Sequence, residues 1–132
     1  MKLAYCLIIA MVCVTAHTRS TPERDRVYGK MFECQKELGS IVDALENVKN
    51  GDINPDTGKL ILCIHRKLGI MDQNGDIVPD QYKQHVEAVT DDKDRQKEFQ
   101  EKCGKPQGEN AEAKAINFDT CFQSILKIMG RI

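Results

Sequence analysis

The sequence lacks the short motifs of the common enzyme and metal-binding classes. It contains no Gly-x-Ser-x-Gly, no phosphate-binding loop and no His-Glu-x-x-His. It also has no Cys-x-x-Cys pair, and its histidines, His17, His65 and His85, stand apart, so a zinc site is not expected. We interpret His65 and His85 as surface or rim residues. The sequence therefore predicts neither catalysis nor a cofactor.

The sequence also lacks an excess of one sign of charge and an apolar run long enough to cross a membrane. The 19 Lys and Arg are interspersed with 20 Asp and Glu, so no basic stripe favours nucleic acid binding. The apolar run LAYCLIIAMVCV after Lys2 is too short to cross a bilayer. Small residues up to Ala16 follow it, an order typical of a secretory signal peptide. We predict that residues 1–16 are a signal peptide and that residues 17–132 form one secreted, extracellular domain with no membrane span.

The cysteines are even in number once the signal peptide is removed. An even number in an oxidising compartment predicts disulfides rather than free thiols. Sequence arithmetic alone permits three pairings of four cysteines. The cysteines that remain are Cys34, Cys63, Cys103 and Cys121.

Alternating strand patterns are also weak, and apolar residues recur at helical spacing along most of the chain. We predict six short helices, with the segment DINPDTG as a loop before the third. Capping residues, prolines and glycines set the expected limits. These limits are Thr21-Pro22 to Gly39, Ser40 to Asn50-Gly51, about Lys59 to Leu68, Pro79 to about Val89, Thr90 to Gly104, and a last helix carrying Ala115 to Met129.

The segment DQNGD, residues 72–76, places oxygen-bearing side chains at alternate positions, as an EF-hand loop does. An EF-hand beginning at Asp72 would need Gly at its sixth position and Glu at its twelfth. The sequence has Ile77 and Lys83 at those positions, so calcium binding is not expected. We predict instead a polar turn centred on Asn74-Gly75.

The cysteine spacing, together with the segment KLGIMDQNGDIVPDQY after Cys63, makes the chain resemble the insect odorant-binding proteins of the PBP/GOBP family. Its four remaining cysteines match the first, third, fourth and sixth of the six-cysteine members. The chain is therefore similar to the four-cysteine, "minus-C" subgroup. Lys59 and Glu112 stand where the second and fifth cysteines would be, and their opposite charges suggest a salt bridge.

The resemblance implies a fold, a pairing and a function. The fold is all-α, with six short helices packed around an apolar ligand cavity, and the disulfides are Cys34–Cys63 and Cys103–Cys121. The function is non-covalent carriage of small hydrophobic ligands, such as odorants and pheromone-like molecules. The residues expected to line the cavity are Met31, Leu68, Val86, Val89, Phe99, Phe118, Phe122, Ile125 and Met129.

Other readings of the sequence stay open. A small secreted helical protein could instead be a signalling or effector protein that acts through a receptor. Within the carrier reading, the fluid could be sensillar lymph, haemolymph, saliva, venom or reproductive fluid. The resemblance also implies a chemoreceptor as a candidate partner and a monomer or weak homodimer, with no nucleic acid partner.

Overall fold

The computed structural model describes residues 22–40 and 43–131, and the fold of this part of the chain is all-α. The prediction of an all-α fold with six helices is therefore confirmed. The predicted signal peptide, the cap at Thr21, and Ile41 and Val42 lie outside the described residues. None of the helices in the described part is both long and apolar enough to cross a membrane. The helices are α1 (Pro22–Leu38), α2 (Ala44–Asn50), α3 (Pro55–Lys67), α4 (Pro79–Val89), α5 (Lys93–Cys103) and α6 (Ala111–Ile128).

Helix α3 begins earlier than the sequence suggested, and the predicted DINPDTG loop is wrong in its second half. The side chain of Asn54 accepts a hydrogen bond from the Thr57 amide, and Pro55 occupies the first turn. Asn is a strong N-cap and Pro fits the first helical position, because its missing N–H would have no partner there. The turn-forming residues of this segment therefore begin the helix.

Two other predicted caps are displaced by a few residues. Asp43 caps α2 in place of Ser40, and its side chain accepts from the Glu46 amide. Asp92 caps α5 in place of Thr90 by accepting from two amides of the first turn. In both cases a carboxylate nearer to the helix takes the amides, and it also matches the positive end of the helix dipole.

The connector between α3 and α4 is the polar turn that the sequence predicted. The Asp72 carboxylate accepts hydrogen bonds from the amides of Asn74 and Asp76, at 2.8 and 3.0 Å. Gly75 has a φ of 76°, and a Cβ there would lie 2.8 Å from the carbonyl oxygen of Ala111. The turn is thus docked on the first residue of α6, and only glycine fits its tip.

Helices α3 and α6 form the centre of the packing. Helix α3 contacts α1, α2 and α6, while α6 also contacts α2 and α5, and α4 packs against α1 and α5. Disulfide Cys34–Cys63 joins α1 to α3, and Cys103–Cys121 joins α5 to α6. The two disulfides of the predicted fold are therefore present, with the pairing that the resemblance implied. For loops of 29 and 18 positions, the chain-entropy account gives a stabilisation of about 3 kcal/mol for each disulfide.

The suggested salt bridge between Lys59 and Glu112 is wrong for the described structure. Among the ion pairs of the described residues, none joins these two side chains. Near Glu112, helix α3 approaches α6 most closely at Gly58. A Cβ added to Gly58 would lie 3.2 Å from Glu112 Cβ and 3.2 Å from Ile116 Cδ1. Gly58 is buried and Lys59 is exposed, so it is Gly58 that faces α6.

This approach predicts where a third disulfide would form. In a disulfide the two Cβ atoms are about 3.8 Å apart, so Gly58→Cys with Glu112→Cys needs the helices to separate by only a few tenths of an ångström. We expect the double variant to form this bond and to gain about 3–4 kcal/mol of stability from the loop it closes. Peptide mapping without reduction and denaturation with and without reductant measure the two effects.

The matched control is Lys59→Cys with Glu112→Cys. Adjacent residues on a helix are rotated by about 100°, so this control should form less of the bond under the same oxidising conditions. A higher yield for the control would contradict the packing at Gly58. Mispairing of the cysteine introduced by Gly58→Cys with one of the native cysteines would contradict it as well.

Candidate functional site

Six buried ring side chains from four helices contact one another in the core, and we call them the aromatic cluster. Phe118 and Phe122 lie at its centre, with 5.7 Å between ring centroids. The other contacts have centroid distances of 4.4 to 6.4 Å, and several are edge-to-face, which is a favourable geometry for aromatic pairs. The members are His65 from α3, Tyr82 and His85 from α4, Phe99 from α5, and Phe118 and Phe122 from α6.

Local sequence spacing explains why these rings meet. Phe118 and Phe122 are four residues apart on α6, and such pairs share one face of a helix. Tyr82 and His85 are three apart on α4 and share a face for the same reason. The Tyr82 hydroxyl donates to the carbonyl oxygen of Phe99 at 2.7 Å, which joins α4 to α5. Burial raises the pKa of the Tyr82 phenol, so this donor keeps its proton.

A buried polar pair stands at one end of the aromatic cluster. His65 Nε2 lies 3.1 Å from Asp119 Oδ1, and both side chains are 6% exposed. The other carboxylate oxygen of Asp119 accepts from the amide of Gln123, which also donates to the carbonyl oxygen of Leu45. The pair joins α3 to α6, and Gln123 extends this network to α2. His65 Nδ1 is buried and has no hydrogen-bond partner among the described residues.

A second polar pair stands at the other end. His85 Nδ1 is hydrogen-bonded to the Glu23 carboxylate, which also accepts from Arg26 at 2.8 Å. The hydrogen bond to His85, assisted by Arg26, lowers the pKa of Glu23 to about 2, although burial opposes this shift. The pair fastens α4 to the first turn of α1.

The structure gathers the nine predicted lining residues in or against one apolar core. Three of them, Phe99, Phe118 and Phe122, are in ring contact within the aromatic cluster. Val89 and Met129 are partly buried, and the other seven are buried. Whether any of the nine contacts a ligand stays a prediction. The buried members are Met31, Leu68, Val86, Phe99, Phe118, Phe122 and Ile125.

The interpretation of His65 and His85 as surface or rim residues is wrong. They are 5% and 6% exposed, respectively. His65 follows Ile61 by four residues and so lies on the inner face of α3, which is the signal that could have revealed it. Asp119 was missed because a carboxylate is rarely buried without a partner, and its partner lies 54 positions away in sequence.

Two open grooves on the surface differ in character from this core. One, of about 370 Å³, lies between α4 and α5, and the other, of about 430 Å³, is bounded by α1, α3 and α6. Charged residues make up more than half of each lining. An apolar ligand would be better matched by the core than by either groove.

Comparison with known proteins identifies the class to which this fold and core correspond. Residues 16–124 match the PBP/GOBP family, and the chain belongs to that family. The B1 protein of Tenebrio molitor is 31% identical over 98 residues, which cover 73% of this chain and 74% of that protein. The B2 protein of the same species is 30% identical over 73 residues, which cover 54% of this chain and 57% of that protein.

A solved structure supports the same fold. Odorant-binding protein dmelOBP28a from Drosophila melanogaster superposes with a TM-score of 0.59 at 18% sequence identity. The match covers 82% of this chain and 95% of that chain. At this level of identity the similarity shows the fold alone.

The Glu23–His85 pair predicts a pH dependence of stability. Because the folded pKa of Glu23 lies below its ordinary value of 4.5, the pair stabilises the fold above about pH 4.5, and this contribution is lost as the pH falls toward 2. Because the carboxylate is only partly buried, solvent screening reduces this contribution to about 1–2 kcal/mol. In Glu23→Gln the free energy of unfolding should be lower at pH 6, and the difference from wild type should shrink by pH 2.5.

Chemical denaturation at several pH values measures this difference. The control is Glu109→Gln, a change at an exposed acidic residue, which should leave the wild-type pH dependence in place. A constant difference between Glu23→Gln and wild type from pH 6 to 2.5 would show that the Glu23 carboxylate does not stabilise the fold through its contact with His85.

Proposed function

We propose that this protein is a secreted carrier that binds small hydrophobic ligands, such as odorants and pheromone-like molecules, non-covalently in its core. The observation that carries the proposal is the aromatic cluster, a buried region to which four helices contribute, with three phenylalanine rings and with the polar atoms of His65, Tyr82 and His85 beside them. Ligand sites of this kind are mostly apolar, with a small number of polar groups that fix orientation. Membership of the PBP/GOBP family supports the same reading.

The proposed cavity would form where the rings of the aromatic cluster meet. Helix α4 supplies Tyr82 and His85 to the cluster, yet neither disulfide includes it. It is held instead by packing, by the Tyr82 hydroxyl on Phe99 and by the Glu23–His85 pair. A ligand would displace α4 more easily than the helices that disulfides join, so we place the opening of the cavity at this helix.

The remaining parts of the proposal follow from the resemblance and the N-terminal sequence. Residues 1–16 would be a signal peptide, and residues 17–132 would act outside the cell, in sensillar lymph or another body fluid. Removal of Cys6 and Cys13 with the signal peptide would leave four cysteines, as in the minus-C subgroup. The carrier would work as a monomer or weak homodimer and deliver its ligand to a chemoreceptor.

Displacement of a fluorescent apolar probe, such as N-phenyl-naphthylamine, tests the proposal. Small volatile ligands should displace it with roughly micromolar affinity, given the binding energy available per heavy atom. Phe122→Leu should weaken probe binding per folded molecule several-fold, because Phe122 contacts Tyr82, His85, Phe99 and Phe118. The measurement is a titration on protein whose folded fraction is known from circular dichroism.

The matched control is Leu60→Val, a reduction of a fully buried residue of α3 that lies outside the predicted lining. It should lower stability by about 1 kcal/mol with little effect on probe affinity. If no ligand of a broad panel displaces the probe, the carrier function is wrong. If both variants weaken binding equally, Phe122 serves the core and not the ligand.

A further inference from the structure

We infer that His65 Nδ1 is the polar anchor of the ligand site and that it selects ligands ending in a hydroxyl group. This inference rests on the proposed carrier function and adds the ligand's chemical class to it. Among the described residues, His65 Nδ1 is the fully buried side-chain polar atom that lacks a hydrogen-bond partner. A buried polar group without a partner carries a free-energy cost, and a ligand that supplies the partner removes that cost.

The surroundings of His65 in the described structure leave Nδ1 as the ring nitrogen without a hydrogen-bond partner. Nε2 is occupied by Asp119 Oδ1 at 3.1 Å. The Gln123 amide holds the second carboxylate oxygen, and its further hydrogen bond to Leu45 fixes which way the amide points. Asp119 is therefore an acceptor on that oxygen. Asp119 therefore occupies Nε2, and Nδ1 is the ring nitrogen that has no partner among the described residues.

His85 provides a contrast within the same cluster. It is buried to the same degree, but its Nδ1 is hydrogen-bonded to the Glu23 carboxylate. The two histidines therefore differ in whether Nδ1 already has a hydrogen-bond partner within the described structure. Among the described residues, Nδ1 of His65 has no hydrogen-bond partner, whereas Nδ1 of His85 has one.

The position of His65 sets the direction of the ligand. Its ring stands edge-to-face on Phe118, with 4.9 Å between centroids and an interplanar angle of 89°. From Phe118 the cluster continues through Phe122 to Phe99. A ligand with its polar end at His65 would lay its hydrocarbon part along these three phenylalanine rings.

A hydroxyl is the end group that fits best. An alcohol or phenol can donate its O–H to the lone pair of Nδ1 when the imidazole is neutral, and it can accept from Nδ1–H when the imidazole is protonated. A carbonyl can only accept, and an ether can only accept as well. With the neutral imidazole, an aldehyde or ether would leave both its own oxygen and Nδ1 without a partner, which a buried site penalises.

The test compares three ligands with the same number of heavy atoms: n-octanol, n-octanal and heptyl methyl ether. Each is titrated against the fluorescent apolar probe on the full mature protein at neutral pH. We expect octanol to bind about tenfold more tightly than either of the others, which corresponds to one hydrogen bond to a previously unsatisfied group.

His65→Gln tests the assignment to Nδ1. The glutamine amide can still donate to Asp119 in place of Nε2, so the fold should be retained, but the group at Nδ1 is removed. We expect the preference for octanol over the ether to fall to about twofold or less. Leu60→Val is the control, because it changes a fully buried residue of α3 that lies outside the aromatic cluster and the predicted lining, and there the octanol-to-ether affinity ratio should stay at the wild-type value.

Nitrogen-15 NMR of the histidine side chains gives a readout that a purely structural role would not move. Octanol, but not the ether, should shift the Nδ1 resonance of His65. If the three ligands displace the probe with equal affinity, the inference is wrong and the carrier function stands. If none displaces it, the carrier function fails. If octanal binds as tightly as octanol, the hydroxyl selectivity is wrong.

Discussion

The rest of the fold depends on the packing of α3 against α6. Helix α3 buries Leu60, Ile61 and Ile64 completely, and each such side chain contributes about 1.5–3 kcal/mol of hydrophobic stabilisation. These two helices also carry one cysteine of each disulfide, so α1 is fastened through α3 and α5 through α6. The aromatic cluster exists because α6 presents Phe118 and Phe122 toward the ring that α3 supplies.

The His65–Asp119 pair gives this helix contact one preferred rotation. Asp119 follows Phe118 directly, so a turn of α6 by one residue would move the carboxylate away from His65 and leave it buried and unpaired. Breaking a buried pair in this way costs about 3–5 kcal/mol. Apolar packing tolerates small rotations, whereas this polar contact does not. The same pair that makes one nitrogen of His65 unavailable to a ligand therefore also orients the phenylalanine rings.

The limits of the helices were largely readable in the sequence, and the buried polar pairs were not. Gly39, Gly51 and Gly69 end their helices with positive φ, as their positions after apolar periods indicate. The start of α3 was missed because Asn54-Pro55 has the composition of a turn as well as of a cap. Local patterns carry this kind of information, and they err where one residue type serves two local structures.

The candidate site shows where local patterns stop being informative. The phenylalanines of α6 were predicted from their spacing, since an apolar residue at helical period is buried whatever its partner is. His65 and His85 were misjudged because their burial depends on partners 54 and 62 residues away. Each of these histidines is buried beside a carboxylate that lies far away in the sequence, and a single sequence does not show which residues meet.

The placement of the disulfides divides the molecule into two closed halves with α4 between them. Cys34–Cys63 spans 29 positions and encloses α2, and Cys103–Cys121 spans 18 positions and joins neighbouring helices. Contacts within each half are nearer in sequence than those across the aromatic cluster, and near contacts lose less loop-closure entropy when they form. We therefore expect each half to assemble first, with the rings of the cluster coming together in the final step of folding.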